Sequence, residues 1–217
     1  MLPQLCYALS FLPPTDAERR EMAHLYPQVN ARWNQKMDRA SVVVTVRDAG
    51  LLIAAGIVHD SIVAPTELMD AVELGCMSVD PRYRRMGIRQ HVTSLRLEHA
   101  LRAGANPITV IYAGNPASWA FYERSDLWSL EREYEYDQQR LFIYQTTPLA
   151  KQWVHQLPHA AEVSQDPRKS QLAVQLPLDQ ATGTPLAAPI TAAQPSSSLI
   201  AKNQGTDAGF GLEPVAG

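Results

Sequence analysis

Cysteine, net charge and long apolar runs are all scarce in this sequence, and each shortage removes a class of protein. The two cysteines among 217 residues, Cys6 and Cys76, match no zinc or redox spacing. They read as small buried hydrophobes in a reducing compartment. A formal net charge of −3 is too small to make nucleic acid or an anionic membrane the main partner. No basic patch followed by a long apolar stretch opens the chain, so neither a signal peptide nor a membrane span is expected, and a cytoplasmic protein is the default. His155 and His159 have the i, i+4 spacing of a metal pair, but neither carboxylate nor thiol stands beside them, and no metal is expected.

Composition changes near residue 150. Residues 1–150 alternate apolar periodic segments with short turns and form one expected domain. Residues 151–217 are rich in Ala, Gln, Pro and Ser, and such a segment buries too little apolar surface to offset its ordering entropy. It reads as a mostly disordered tail, with a short helix over 149–156 docking through Trp153.

Within the domain, 4–9 reads as a strand. Thr15-Asp16-Ala17-Glu18 is a capping box for a helix to about Leu25. Pro27 interrupts it, and a second helix is expected over 29–36. The β-branched run 41–47 and the run 51–59 form a hairpin around Asp48-Ala49-Gly50, and 72–79 is the next strand. After Gly87 a helix places Ile88, Val92 and Leu95 on one face. A short strand over 108–112, a helix opened by Asn115-Pro116, and strands near 128–136 and 140–146 follow. The order β-α-α-β-β-β-α-β-α-β-β describes a mixed α/β domain.

The connection Val79-Asp80-Pro81-Arg82-Tyr83-Arg84-Arg85-Met86-Gly87-Ile88 joins a strand to a helix through a basic, Gly-containing turn. Free N–H groups and the positive end of a helix dipole make such a turn a place for an anion, most often a phosphate. Gly87 lets the backbone approach without a Cβ in the way, and Arg82, Arg84 and Arg85 add positive charge. The same spacing also fits an ordinary connection with solvated arginines.

These residues resemble a signature of the Gcn5-related N-acetyltransferase (GNAT) superfamily. Its phosphate-binding pattern is (Gln/Arg)-x-x-Gly-x-(Gly/Ala), led by Val-x-Pro-x-(Tyr/Phe)-Arg. Val79 to Arg84 matches the lead, and Arg84 and Gly87 match the pattern. A second signature, Asn-x-x-(Ala/Ser)-x-x-Phe-Tyr-Glu, is similar to Asn115 through Glu123. The resemblance covers nearly all of residues 1–150 and implies the family's α/β fold, a mixed, mainly antiparallel sheet splayed between strands 4 and 5 and flanked by helices. It implies acetyl-CoA as co-substrate, held by Arg84, Arg85, Met86, Gly87, Ile88, Arg89 and Gln90 at the pyrophosphate. Met77, Ser78 and Val79 would lie along the pantetheine arm and thioester, with Asn115 beside the arm. Tyr122 stands where many relatives carry a general acid for the departing thiolate, and a phenol with a pKa of about 10 suits that role. Glu73, eleven residues before Arg84, stands where some relatives carry a catalytic base, and an apolar cleft would raise its pKa toward the working range.

Two positions depart from the pattern. Arg89 replaces the final Gly or Ala, where a long side chain either adds a phosphate contact or crowds the cofactor. Ser125-Asp126-Leu127 replaces a Gly-Phe turn, so the turn is expected to be altered. The implied activity is transfer of an acyl group, acetyl in the first place, from acyl-CoA to a primary amine, small molecule or peptide, by direct attack in a ternary complex. The alternative is a non-catalytic acyl-CoA-binding or interaction module. Glu67 and Asp70 near Glu73 mildly favour a cationic acceptor, and whether the chain forms a homodimer stays open.

Overall fold

The computed structural model describes residues 5–68, 70–156 and 174–175, all within one unit spanning Met1–Gly183. The rest of the expected tail, including His159, lies outside the described residues.

Among the described residues, eight strands form one sheet: β1 (Leu5–Ser10), β2 (Ala40–Asp48), β3 (Leu51–Asp60), β4 (Ala71–Val79), β5 (Asn106–Tyr112), β6 (Trp128–Tyr136), β7 (Gln139–Thr146) and the two-residue β8 (Val174–Gln175). The spatial order is β6-β7-β5-β4-β3-β2-β1-β8. Every pairing is antiparallel except β4 with β5. Both two-residue hairpins use left-handed backbone. Ala49 and Gly50 turn β2 into β3, and Asp137 and Gln138 turn β6 into β7, all with positive φ. That is the twist a tight hairpin requires. At the outer edge, β6 carries Glu131, Arg132, Glu133 and Glu135, charge that discourages edge-to-edge pairing.

The helices divide between the faces. On one lie α1 (Asp16–Met22) and α2 (Ala31–Asp38). The expected capping box is present at Thr15 and Glu18, and Asn30 caps α2 by accepting from the Trp33 N–H at 2.9 Å. Met22, Trp33 and Met37 pack there against Val43, Leu52 and Ile57. On the other face, α3 (Ile88–Arg102) and α4 (Pro116–Glu123) cover Val44, Ile53, Val58 and Leu74. The central strand β3 is buried along its whole length between its end residues, as a strand covered on both faces must be. A fifth helix, α5 (Pro148–Gln156), straddles the expected boundary near residue 150. Ala150 and Val154 are its buried residues, and Trp153 packs at the edge of the core.

Pairing between β4 and β5 covers only Ala71, Val72 and Glu73 against Asn106, Pro107 and Ile108. A last link is the Thr109 hydroxyl donating to Leu74 O at 3.2 Å, after which the strands part. The splay expected between strands 4 and 5 is therefore present, and it leaves one edge of 74–79 open. On its other edge β4 is irregular. The register with β3 shifts between Ala55 and Ile57, and Cys76 takes φ +48°, the geometry of a bulge.

Arg96 of α3 fixes that bulge. It is fully buried, and its guanidinium donates to Gly75 O at 2.9 Å, Ile57 O at 3.0 Å, Val92 O at 3.3 Å and Thr93 Oγ1 at 3.3 Å. The buried face of α3 thus runs Ile88, Val92, Thr93, Arg96, Leu97 and Ala100, whereas Leu95, expected on that face, is only partly buried. A Cβ on Gly56 would meet the guanidinium carbon at 2.9 Å, so residue 56 must be glycine for Arg96 to fit. Cys6, expected to be buried, is exposed on β1, whose inward positions are Leu5, Tyr7 and Leu9. Replacing Arg96 by Met orphans two buried carbonyls. We expect destabilisation of about 3 kcal/mol and a fall in melting temperature of roughly 10 °C, measured by calorimetry; an unchanged melting temperature would show that the bulge holds without it.

Candidate active site

The strand–turn–helix connection after β4 closes as the spacing predicts. Asp80 caps a short 3-10 turn, Pro81–Tyr83. Its carboxylate accepts from the Arg82 N–H at 2.9 Å and pairs with the Arg82 guanidinium at 2.8 Å. Arg82 is therefore neutralised locally and adds no free charge to the turn. Arg84 and Arg85 are exposed, with Arg84 Nε 3.4 Å from Val79 O. Arg85 (φ +66°) and Gly87 (φ +73°) are both left-handed, so the backbone curls and points its N–H groups outward. The first intrahelical bond of α3 runs from the His91 N–H to Gly87 O. The N–H groups of Ile88, Arg89 and Gln90 are then those a helix start leaves without an internal partner. A Cβ on Gly87 would meet nothing within 4 Å, so the space beside this curl is open.

Next to the curl runs the free edge of β4. The Asp80 N–H donates to Ile53 O at 2.8 Å. Strand N–H groups alternate sides, so those of Val79 and Met77 point away from β3 into the splay, while that of Ser78 points toward β3. The Ser78 hydroxyl reaches back to Leu25 O at 2.5 Å, and the Tyr26 hydroxyl donates to Cys76 O at 2.6 Å. The segment that opens α2 thus holds β4 from behind. Burial pushes the Cys76 thiol up to about 11, which makes it an inert thiol.

Across the splay, Asn115 caps α4 by accepting from the Ser118 N–H at 3.2 Å. Tyr122 is buried among Phe121, Trp128 and Tyr144. Arg89 leaves the space at Gly87 and turns to α4. Its guanidinium donates to Ala117 O at 3.3 Å and Ser118 Oγ at 3.2 Å, lies 4.5 Å from the Phe121 ring centroid, and keeps a buried Nε without a partner. The long side chain at this position therefore does not fill the curl. Asp126 is absent from the positive-φ residues, so the altered turn after α4 needs no left-handed residue.

The structure puts Glu73 on the α2 side of the sheet, apart from this group. It is 1 % exposed, 2.6 Å from Lys36 Nζ, and accepts from the Ser61 hydroxyl at 2.9 Å. His59, wholly buried, has its Nδ1 bonded to Asp60 O at 2.7 Å, which leaves Nε2 3.5 Å from the Glu73 carboxylate and without a hydrogen-bond partner. A Cβ on Gly75 would meet that Nε2 at 2.4 Å. Burial alone would raise the Glu73 pKa, but Lys36 and His59 reverse it and hold the carboxyl at about 2. The shift is opposite to the one expected for a base in an apolar cleft, because the cleft supplies the Lys36 ammonium. Burial likewise works against the Lys36 ammonium, and the charge of Glu73 outweighs it, leaving its pKa above the ordinary value.

Glu67 and Asp70 stand near the start of β4, roughly 20 Å of strand from Met77. Glu67 pairs with Arg132 at 3.0 Å, and both acids line a separate hollow of about 310 Å³ with Asn106, Gln145 and Lys151. The sequence reading missed Arg96, Lys36, Arg32 and Tyr112. Only Arg96 had a signal, its i+4 spacing from Val92.

Because folding lowers the Glu73 pKa from 4.5 to about 2, its stabilisation is complete above pH 4.5 and is lost as pH falls toward 2. We expect Glu73→Gln to be less stable at neutral pH. Its denaturant-derived stability should fall less steeply across that window, by up to about 1.4 kcal/mol per pH unit. Parallel pH profiles would refute the pairing.

Comparison with known proteins agrees with this geometry. The family model described as Acetyltransferase (GNAT) family matches residues 12–126, more than half of the chain. Among solved structures, a protein described as a GNAT-family acetyltransferase from Bordetella pertussis aligns with TM-score 0.52 and 12% identity, covering 68% of this chain and 98% of that one. Another from Desulfovibrio desulfuricans aligns with TM-score 0.51 and 11% identity over 65% and 97%. Arabidopsis thaliana Naa50, solved with the bisubstrate analogue CoA-Ac-MVNAL, aligns with TM-score 0.48 and 12% identity over 65% and 98%. At such identities the first two likenesses concern the fold alone, and nothing is argued from the third. No curated protein matches the sequence. The family match and the splayed sheet together assign this chain to the acetyltransferase (GNAT) family.

Proposed function

We propose that the protein transfers an acetyl group from acetyl-CoA to a primary amine by direct attack, with both substrates bound together. The observation that carries this reading is the open, left-handed curl at Arg85 to Gly87, set at the mouth of a splay whose free β4 edge presents backbone N–H groups. The curl and the first turn of α3, Arg84 through Gln90, would hold the pyrophosphate. Arg89, whose guanidinium meets the neutral Ala117 O and Ser118 Oγ on α4, adds positive charge there. When bound, the co-substrate supplies an activated thioester. Met77 and Val79 N–H groups would orient it and stabilise charge developing on its oxygen. Asn115 fixes the start of α4 beside the arm.

Tyr122 is proposed to protonate the departing thiolate. Its ring is locked by three aromatic neighbours, and Arg96 and Arg89 place positive charge nearby, which favours a thiolate forming there. Glu73 can accept a proton only by giving up its pairing with Lys36. Its proposed part is to position Lys36 on the acceptor side, with the amine arriving neutral or yielding its proton to water.

Acetyl-CoA and CoA are expected to raise the melting temperature of the wild-type protein, and thiol release across an amine panel reports turnover. Stabilisation without release from any amine would favour a non-catalytic acyl-CoA-binding module. Gly87→Trp fills the open curl and should abolish stabilisation by CoA while the protein stays folded by circular dichroism. Tyr122→Phe should lower kcat by roughly 10²-fold and leave the CoA affinity unchanged; an unaffected kcat would reduce Tyr122 to packing.

A further inference from the structure

The acceptor side of the splay is formed by one face of α2. Arg32 and Lys36 are four residues apart and so share that face. Lys36 reaches β4 through Glu73. Arg32 reaches β5, donating to the Tyr112 hydroxyl at 2.5 Å, and its guanidinium stands 5.2 Å from the Tyr136 ring centroid. Glu73 is level with Ile108 in the parallel pairing. Four residues on along each strand, Tyr112 is therefore about level with Met77 across the gap. Arg32 thus stands at the height of the β4 N–H groups, on the face opposite α3.

The charges there are unequal in what they leave free. The Glu73 carboxylate is enclosed and committed to Lys36 and Ser61, and Glu67 is paired with Arg132. A cationic acceptor would find neither available. Arg32, by contrast, is one-third exposed, and among the described residues its acidic partner is Asp137, 3.5 Å away with its side chain 75% exposed. Such a long, solvated pair is weak and easily exchanged. A planar guanidinium beside a phenol hydroxyl presents forked donors suited to a carboxylate. A phosphate dianion fits less well, because Asp137 already stands beside the guanidinium.

Resting on the transfer reading above, we propose that the acceptor is an amine that also carries a carboxylate, of the amino-acid class, and that Arg32 with Tyr112 binds this carboxylate and so aims the amine at the β4 edge. Arg32 is then the specificity-determining residue of the acceptor site. This reverses the sequence-based preference for a cationic acceptor.

The test compares matched pairs on the full chain: glycine with glycinamide, β-alanine with its amide, and putrescine as a dication, each with acetyl-CoA and thiol release as readout. Carboxylates are expected to show at least tenfold higher kcat/KM than their amides. Arg32→Gln should raise the carboxylate KM at least tenfold, erase the difference from the amides, and leave stabilisation by CoA as in the wild type. Arg32→Lys, which keeps the charge and loses the fork, should fall between. Amides or putrescine reacting as well as carboxylates, or Arg32→Gln weakening both alike, would overturn the proposal. If no amine releases thiol, the transfer reading fails by itself. Ligand-observed NMR of glycine against glycinamide, with wild type and Arg32→Gln in the presence of CoA, then decides the Arg32 site separately. Equal binding of the two ligands there would overturn it.

Discussion

The guanidinium of Arg96 is the tie on which the working part of this fold depends. A buried arginine is costly unless its donors are satisfied, and here they are satisfied by Gly75 O of the bulged β4 and Ile57 O of the neighbouring β3. The same bond set therefore does two things. It anchors α3, whose N-terminus carries the phosphate-type curl, and it holds β4 bent away from β5. On the opposite face the Tyr26 hydroxyl takes Cys76 O, so the bulge is gripped from both sides of the sheet. The glycines at 56 and 75 follow as steric consequences, one clearing the guanidinium and the other clearing His59.

Once the bulge is set, the two faces acquire different chemistries. The α3 and α4 side is electropositive and open, with N–H groups, Arg89 and the aromatic nest around Tyr122. The α2 side is a tight network in which the Lys36 ammonium holds a buried carboxylate ionised. Co-substrate and acceptor are thereby proposed to approach the splay from opposite faces. The ion pair of Lys36 with Glu73 also explains why a glutamate in a nearly dry place does not drift toward neutrality. Coulomb attraction at 2.6 Å outweighs desolvation, so burial by itself is a poor guide to a carboxylate's pKa.

Much of the fold was legible in the linear pattern. The capping box at Thr15, the hairpin at Ala49-Gly50, the strand into Val79 and the helix from Ile88 are all decided by neighbours within a few residues, and local rules suffice for them. The site was legible in part, through the turn with Gly87 and the spacing of Asn115 and Tyr122. What escaped were contacts between distant segments. The i+4 spacing from Val92 puts Arg96 on the inward face of α3, but nothing local says which carbonyls would meet its guanidinium.

The sequence by itself determined the order of elements, the left-handed turn before α3 and the family pattern, because each rests on short-range backbone preferences and side-chain spacing. Only the tertiary structure decided where the charges ended up. It enclosed Glu73 with Lys36, thirty-seven positions away, turned Arg89 onto α4, and took Glu67 out of the site by pairing it with Arg132. Electrostatic character is a property of which groups meet and how much water is left between them. In this chain those meetings span many tens of residues, beyond the reach of any local pattern.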